Sequence, residues 1–263
     1  MKRLPICIFL TANGISMIGN NLTMLAVPWF VLETTGSAAQ TGWVGFFTAL
    51  PALIAAFFGG TIVDRLGFKQ MSIISDIASG LTVALIPMLH STIGLQFWQL
   101  ILLVFLSALL DAPGNTARRA LLPEVAGAAG LRLERANAAE QVVQRAATLA
   151  GPALAGVLIV WLGSSNVLWL DAATFAISAG LYTIGVPSEK KRPISPSPYF
   201  VQLKQGLQFV QRDRLILALV VTVAITNFLD APVFAVIMPV YASQVFGQAT
   251  NLGWMLFIPL HLR

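Results

Sequence analysis

VPWFVLETTGSAAQTGWVGF, residues 27–46, returns as MPVYASQVFGQATNLGWMLF, residues 238–257. At a shift of 211 residues Pro28 meets Pro239 and Gly36 meets Gly247; Ala38, Gly42, Trp43 and Phe46 then meet Ala249, Gly253, Trp254 and Phe257, all without a gap. Each copy closes a long apolar run, the first at about 4–32 and the second at about 214–243. Further apolar runs fall at about 41–63, 71–89, 94–114, 138–162 and 165–186, and an eighth begins near 250. If each run crosses a bilayer, six crossings separate the two copies, and both enter from the same side. That makes a parallel repeat, two six-helix halves related by an axis along the membrane normal.

The fold class expected is therefore an all-α polytopic membrane protein with seven full spans and a partial eighth. Residues 1–186 form an N-terminal six-helix bundle. Residues 187–213 form a cytoplasmic linker, and residues 214–263 are the incomplete start of a second bundle. By the repeat, a complete second copy would end at about residue 400, so the chain is expected to be C-terminally truncated.

Composition agrees. The apolar residues make up 57% of the chain and the charged ones 10%, against about 25% charged in a soluble domain. That excludes a soluble globular domain and a disordered chain. The single cysteine, Cys7, excludes an internal disulfide or a cysteine cage, and two histidines, His90 and His261, do not suggest a metal site. No cofactor is expected.

The net charge of +5 has a topological meaning. With the N-terminus inside, the cytoplasmic segments are those near 1–3, 64–70, 115–137 and 187–213. Every Lys and Arg except Arg263 falls in these segments or near a cytoplasmic helix end, Arg118 and Arg119 among them. The opposite loops, near 33–40, 90–93 and 163–164, hold none. This positive-inside pattern predicts a multi-pass protein of the cell membrane with a cytoplasmic N-terminus, and accounts for the basic balance without nucleic acid. Residues 187–198, PSEKKRPISPSP, read as a linker. After it, Phe200, Leu203, Leu207 and Val210 lie at helical spacing. Two readings stand: an interfacial amphipathic helix, or the run-in to the seventh span.

Between the second and third runs lies GTIVDRLGFKQ, residues 60–70. Its Gly60, Asp64, Arg65, Gly67 and Lys69 resemble the cytoplasmic signature loop of the major facilitator superfamily. Phe68 stands where that family has a basic residue, which leaves Lys69 to replace it. Gly60 permits close helix approach, Gly67 a tight turn, and Asp64 a helix cap. The fifth run contains Gly151, Pro152 and Gly156, which resemble the family's antiporter signature, with Ala155 in place of its first closing glycine. Ordinary small-residue packing explains the same residues equally well. NNLTMLAVPWFVLETTGSA (20–38), DAPGNTARRALLPEV (111–125) and LDAATFAIS (170–178) resemble the macrolide-efflux and enterobactin-exporter-like branch of that superfamily.

Ionisable residues inside spans are costly, and so they are candidates for function. The resemblance implies that Asp111 pairs with Arg65 or Lys69 as a gate. Asp76 and Asp171 lie within two turns of the expected helix ends, where water reaches, and read as structural. Asp230 is deeper, three residues after Asn227 and two before Pro232; burial would make it a usable proton site. On the first helix Asn13, Ser16, Asn20 and Thr23 make a polar stripe that must face protein or water. Asn13, Asn20, Asn227 and Asp230 are thus the expected substrate or proton pathway. Trp29 and Phe30 read as interfacial anchors and Arg145 as a snorkelling arginine.

No GxxxxGK[ST] occurs to bind ATP. The function expected is secondary active transport, a proton-coupled efflux of amphipathic small molecules of drug or siderophore type by alternating access. The full-length protein is expected to act as a monomer with a small-molecule substrate, protons and the bilayer as partners. An importer or lipid flippase on the same fold, or a non-transporting scaffold, are the alternatives. Intramembrane catalysis would need a metal pair or a nucleophile with its base, and neither pattern is present.

Overall fold

The computed structural model describes residues 3–187, 208–209, 211–247 and 250, with the side chains of 52–53, 56–62, 64–65, 228, 231–232 and 234–235 outside that set. The expected linker helix, the eighth span, and the repeat partners Ala249, Gly253, Trp254 and Phe257 all lie outside the described residues. So do the side chains of Gly60, Asp64 and Arg65.

Six long helices run in series: α1 (Leu4–Thr35), α2 (Ala38–Leu66), α3 (Phe68–Thr92), α4 (Phe97–Ala128), α5 (Leu133–Leu162) and α6 (Ser164–Gly185). A seventh, α7 (Arg214–Pro232), continues through a π-helical turn (Val233–Ile237), the short α8 (Met238–Tyr241) and a second π-helical turn (Ala242–Phe246). The breaks between helices are chemically marked. Pro5 sits in the first turn of α1, where no backbone donor is lost. Ser37 caps α2 by accepting from the Gln40 amide. Gly36 ends α1 and Gly247 ends the second π-helical turn, each at φ 64°, ψ 7°. The two glycines matched by the repeat thus do the same left-handed work, which a side chain would hinder.

Among the described residues five helices, α1, α3, α4, α5 and α6, are long and apolar enough to cross a membrane. That count is of the described residues alone, since α2 and α7 both hold side chains outside that set. Within α7 the described apolar stretch is Arg214–Asn227, and the next side chain, Phe228, lies outside the described set. The segment 115–137, expected as a cytoplasmic loop, is helical almost throughout: α4 runs to Ala128 and α5 starts at Leu133. Charge along these segments marks the edge of the bilayer and not the end of the helix. At about 1.5 Å per residue the 32 residues of α4 reach about 48 Å, beyond a hydrocarbon core of about 30 Å.

α1 packs on α5 and α6, α3 on α4 and α6, and α2 on α4. The outer surface is apolar, with Leu81, Ile93, Trp161 and Ile184 all exposed, as suits a lipid solvent. Inside, the core is layered. One apolar layer joins Leu22, Leu25, Val83, Ile86, Leu100, Leu103 and Leu168. A second joins Ile6, Phe9, Met71, Leu121, Val125 and Tyr182. Each of α1, α3, α4 and α6 contributes to both layers and carries polar residues between them: Asn13 and Ser16, Ser75, Asp76 and Ser79, Asp111, and Ser178; Asp171 is flanked along α6 by Leu168 and Phe175 of the first layer. Trp29 and Phe30 belong to the first apolar layer. They are core residues, not interfacial anchors, because their face of α1 meets the bundle.

Candidate functional site

The polar layer is organised by α1. Ser16 Oγ lies 3.5 Å from Asp76 Oδ1 of α3. One turn on, Asn20 Nδ2 donates to Asp111 Oδ2 of α4 at 3.4 Å. Another turn on, Thr23 Oγ1 donates to Asp171 Oδ2 of α6. Spacings of four and three put the three donors on one face, and each holds a carboxylate from a different helix. Asn13, on the same stripe, is buried as well. The stripe therefore faces protein, as its composition requires.

Arg118 stands at the centre of the layer and is 2% exposed. Its Nη1 donates to Asp76 Oδ1 at 2.6 Å and its Nη2 to Asp111 Oδ1 at 3.0 Å. Nη2 also donates to Asn115 Oδ1 at 2.9 Å, and Asn115 Nδ2 donates to Asp111 Oδ2 at 2.7 Å. Ser178 Oγ of α6 completes Asp76 by donating to Oδ2 at 2.6 Å. The guanidinium has five donors in a fixed fork, so it can bridge two acids from two helices. Gly114 makes room: a Cβ there would strike Ser75 and approach Arg118 Nη1. Among the described residues, Arg118 Nε and Tyr182 Oη are buried without a hydrogen-bond partner.

This placement changes three expectations. Arg118 is not a loop charge beside Arg119; the neighbouring side chain is exposed while Arg118 is buried. Asp76 and Asp171 lie about two turns into α3 and α6, as expected, but both are fully buried, because those faces of the helices turn into the bundle and not to water. Asp111 does not meet Lys69. It sits in the middle of α4 with Arg118, Asn115 and Asn20, while Lys69 Nζ donates to the carbonyls of Thr183 at 3.0 Å and Val186 at 2.5 Å. Lys69 thus caps the carboxyl end of α6, where a cation complements the helix dipole. Gly67, at φ 88°, joins α2 to α3. A pairing of Asp111 with Arg65 falls on an undescribed side chain.

Gly151, Pro152 and Gly156 are buried on α5. A Cβ on Gly151 would meet the Asn21 side chain at 2.5 Å, so that glycine seats α5 against α1. Asn21 Nδ2 reaches back to Met17 O at 2.7 Å and across to Ala147 O at 3.4 Å. Asn227 is exposed and Asp230 half-buried near the end of α7. The backbone beyond Pro232 opens into the π-helical turn, a distortion that often accompanies function. Arg145 is exposed, and with Arg119, Glu140, Gln141 and Gln144 it lines a polar cavity of about 480 Å³ between α4 and α5. Among the described residues no group of acids, histidines or cysteine is placed to hold a metal.

The profile of the Major Facilitator Superfamily matches residues 9–260. The chain is 32% identical to the multidrug efflux pump Tap of Mycolicibacterium fortuitum over 97% of its own length and 64% of that protein. It is 32% identical to Tap of Mycobacterium tuberculosis (strain ATCC 25618 / H37Rv) over 97% of its length and 62% of the relative. The staphyloferrin A transporter of Staphylococcus aureus is 23% identical over 65% of the chain and 43% of that protein. The chain thus spans less than two thirds of the length of these relatives. No solved structure matches it significantly.

Proposed function

We propose that this chain, which belongs to the major facilitator superfamily, serves a proton-coupled secondary transporter that exports amphipathic small molecules by alternating access. It is a multi-pass membrane protein of a family that moves small-molecule substrates and includes multidrug efflux pumps. Export, proton coupling and the cytoplasmic N-terminus are the proposal's own. The observation that carries it is the polar layer, in which one buried arginine serves two of three carboxylates inside the membrane. Such groups are expensive in a bilayer and are kept where ions or substrates pass. A layer bonded through α1 to α3, α4 and α6 can rock as one body around a midplane site.

In this reading Asn13 and Asn20 line the proton pathway with Asp76, Asp111 and Arg118. Asn227 and Asp230 serve the facing helix. The signature loop of Gly60, Asp64, Arg65, Gly67 and Lys69 guards the cytoplasmic side. Gly151, Pro152 and Gly156 set the approach of α5. The multidrug activity printed for the Tap relatives favours a broad apolar or amphipathic cargo.

Reconstitution into vesicles tests this. An imposed pH gradient is expected to drive saturable movement of a lipophilic fluorescent cation, and a protonophore is expected to stop it. Flux that ignores the gradient would sink proton coupling. Movement only with the gradient reversed would make the protein an importer. Asp230→Asn leaving gradient-driven flux unchanged would remove Asp230 from the pathway.

A further inference from the structure

Asp171 differs from the other two acids of the layer. It is fully buried, and among the described residues no cation pairs with it. The charged groups that act on it are Asp111 of α4 and Asp76 of α3, both acids themselves. On α1 the nearest titratable side chain along the same edge is Glu33, taken up by Trp29 Nε1 and Ser164 Oγ. On α5 the titratable groups Glu140 and Arg145 line the cavity shared with α4. Among the described residues no element packed against Asp171 brings it a counter-charge.

Its partners are hydroxyls, and they can be counted proton by proton. Thr23 Oγ1 spends its one proton on Asp171 Oδ2. Thr174 Oγ1 makes two contacts, 2.8 Å to the backbone carbonyl of Asp171 and 3.1 Å to Asp171 Oδ1. A hydroxyl has one proton, and a carbonyl has none to give. That single proton is divided between the carbonyl and Oδ1, so Oδ1 has at most a shared donor and a free lone-pair direction that can carry a hydrogen of its own. Asp76 shows no such deficit: Arg118, Ser16 and Ser178 each arrive with a proton. Space is reserved as well. A Cβ on Gly19 of α1 would collide with Asp171 Oδ1 and Thr174 Oγ1, so the glycine leaves a niche for the carboxyl group. Thr23 and Thr174 are both only half-buried.

We propose that Asp171 is a proton-binding site in its own right: a neutral carboxyl group donating from Oδ1 to Thr174 Oγ1, loaded and unloaded during transport independently of the acids held by Arg118. On loading, an O–H bond forms at Oδ1 with a proton from water; on unloading that bond breaks and the proton returns to water past the two threonines. Its role in coupling rests on the transport reading above. The presence of the proton does not.

Infrared spectroscopy of the purified chain in detergent near neutral pH separates the two. A protonated-carboxyl stretch that shifts in heavy water is expected. Asp171→Asn abolishes it, Asp76→Asn retains it, and Thr174→Val moves it to higher frequency by removing its acceptor. If Asp171→Asn does not fold, the Thr174→Val shift still decides. A wild-type spectrum without the band, or a band blind to both Asp171→Asn and Thr174→Val, overturns the site. In vesicles Asp171→Asn is expected to lose gradient-driven accumulation, and accumulation at the wild-type level would remove the proton from coupling. A band with no flux in the wild type keeps the site and refutes the transport reading. Flux with no band does the reverse.

Discussion

Removing Arg118 is the severest single test of the polar layer. Arg118→Met deletes the one cation that meets Asp76 and Asp111 among the described residues. Near 4 Å and at an effective dielectric of about 20, each attraction is worth about 4 kcal/mol before burial costs are set against it. Those costs are already incurred in the folded bundle, since Asp76 is fully buried and the Asp111 side chain is 15% exposed. Loss of one partner of a buried pair typically destabilises by about 3–5 kcal/mol. Here two acids from two helices lose it together, so a loss of about 5 kcal/mol is expected. Arg118→Met combined with Asp76→Asn and Asp111→Asn removes the stranded charges. It should recover all but about 1–2 kcal/mol, the share of the remaining polar groups. Equilibrium unfolding of the purified chain in mixed micelles, followed by helical circular dichroism, measures both. If Arg118→Met unfolds within 1 kcal/mol of the wild type, or the triple variant falls as far as the single one, the central pairing is refuted. A cycle through the intermediate variants then gives the coupling energy directly.

Three further outcomes follow from local geometry. Lys69→Met removes two charge-assisted bonds from the carboxyl end of α6. It should cost about 1–2 kcal/mol and speed amide hydrogen exchange at the last turn of α6, with Lys69→Arg partly restoring protection. Gly151→Val drives a side chain into Asn21, 2.5–3.2 Å from the site of its Cβ, for a loss of about 1–3 kcal/mol in the same unfolding assay. Gly127→Ala has open space around it and should be neutral or gain up to about 1 kcal/mol. In a Cys7→Ser background a membrane-impermeant maleimide should label Glu134→Cys only from the cytoplasmic side and Ser37→Cys only from the other, and the opposite pattern would invert the proposed topology.

The spans were legible because bilayer length and apolar run length are the same constraint. The ends of α4 and α5 were not, because helices that overrun the bilayer carry charge while staying helical. Arg118 and Arg119 show the limit most sharply. Neighbours in sequence, they point a third of a turn apart, one into the bundle and one out of it. Helical phase held the missing signal. Asp111, Asn115 and Arg118 follow at spacings of four and three, and Ser72, Ser75, Asp76 and Ser79 make a matching face on α3. Read together, the two faces find the ion cluster, whereas the segment-by-segment count of positive charges hides it. The α1 stripe was legible as polar, but not its partners, since nothing in one helix says which carboxylate the next helix offers. The family resemblance paired Asp111 with Arg65 or Lys69, whereas Lys69 meets the free carbonyls at the end of α6. Asp230 stood out by depth and by Pro232, and α7 does distort beyond that proline.

Two adhesives hold the bundle, and their arrangement bears on how it moves. In lipid, apolar contact between helices has little advantage over contact with acyl chains, so close approach and polar bonds carry association. Close approach is built at Gly19 and Gly80 against α6 and at Gly114 against α3, where a Cβ would meet the neighbouring helix within about 3 Å. The polar bonds run from α1 to α3, α4 and α6 at once. Sliding α1 against any one of these helices breaks a bond to a carboxylate there, and the Arg118 fork separately ties α3 to α4. These four helices are therefore cross-braced over about two turns of α1, beside apolar layers that give no directional hold. α2 and α5 lie outside the brace: α2 packs on α4, and α5 meets α1 through Gly151 and Asn21. If the protein has a moving joint, it belongs at those flanking helices or beyond α6, and the charged layer travels as cargo of a stiff core.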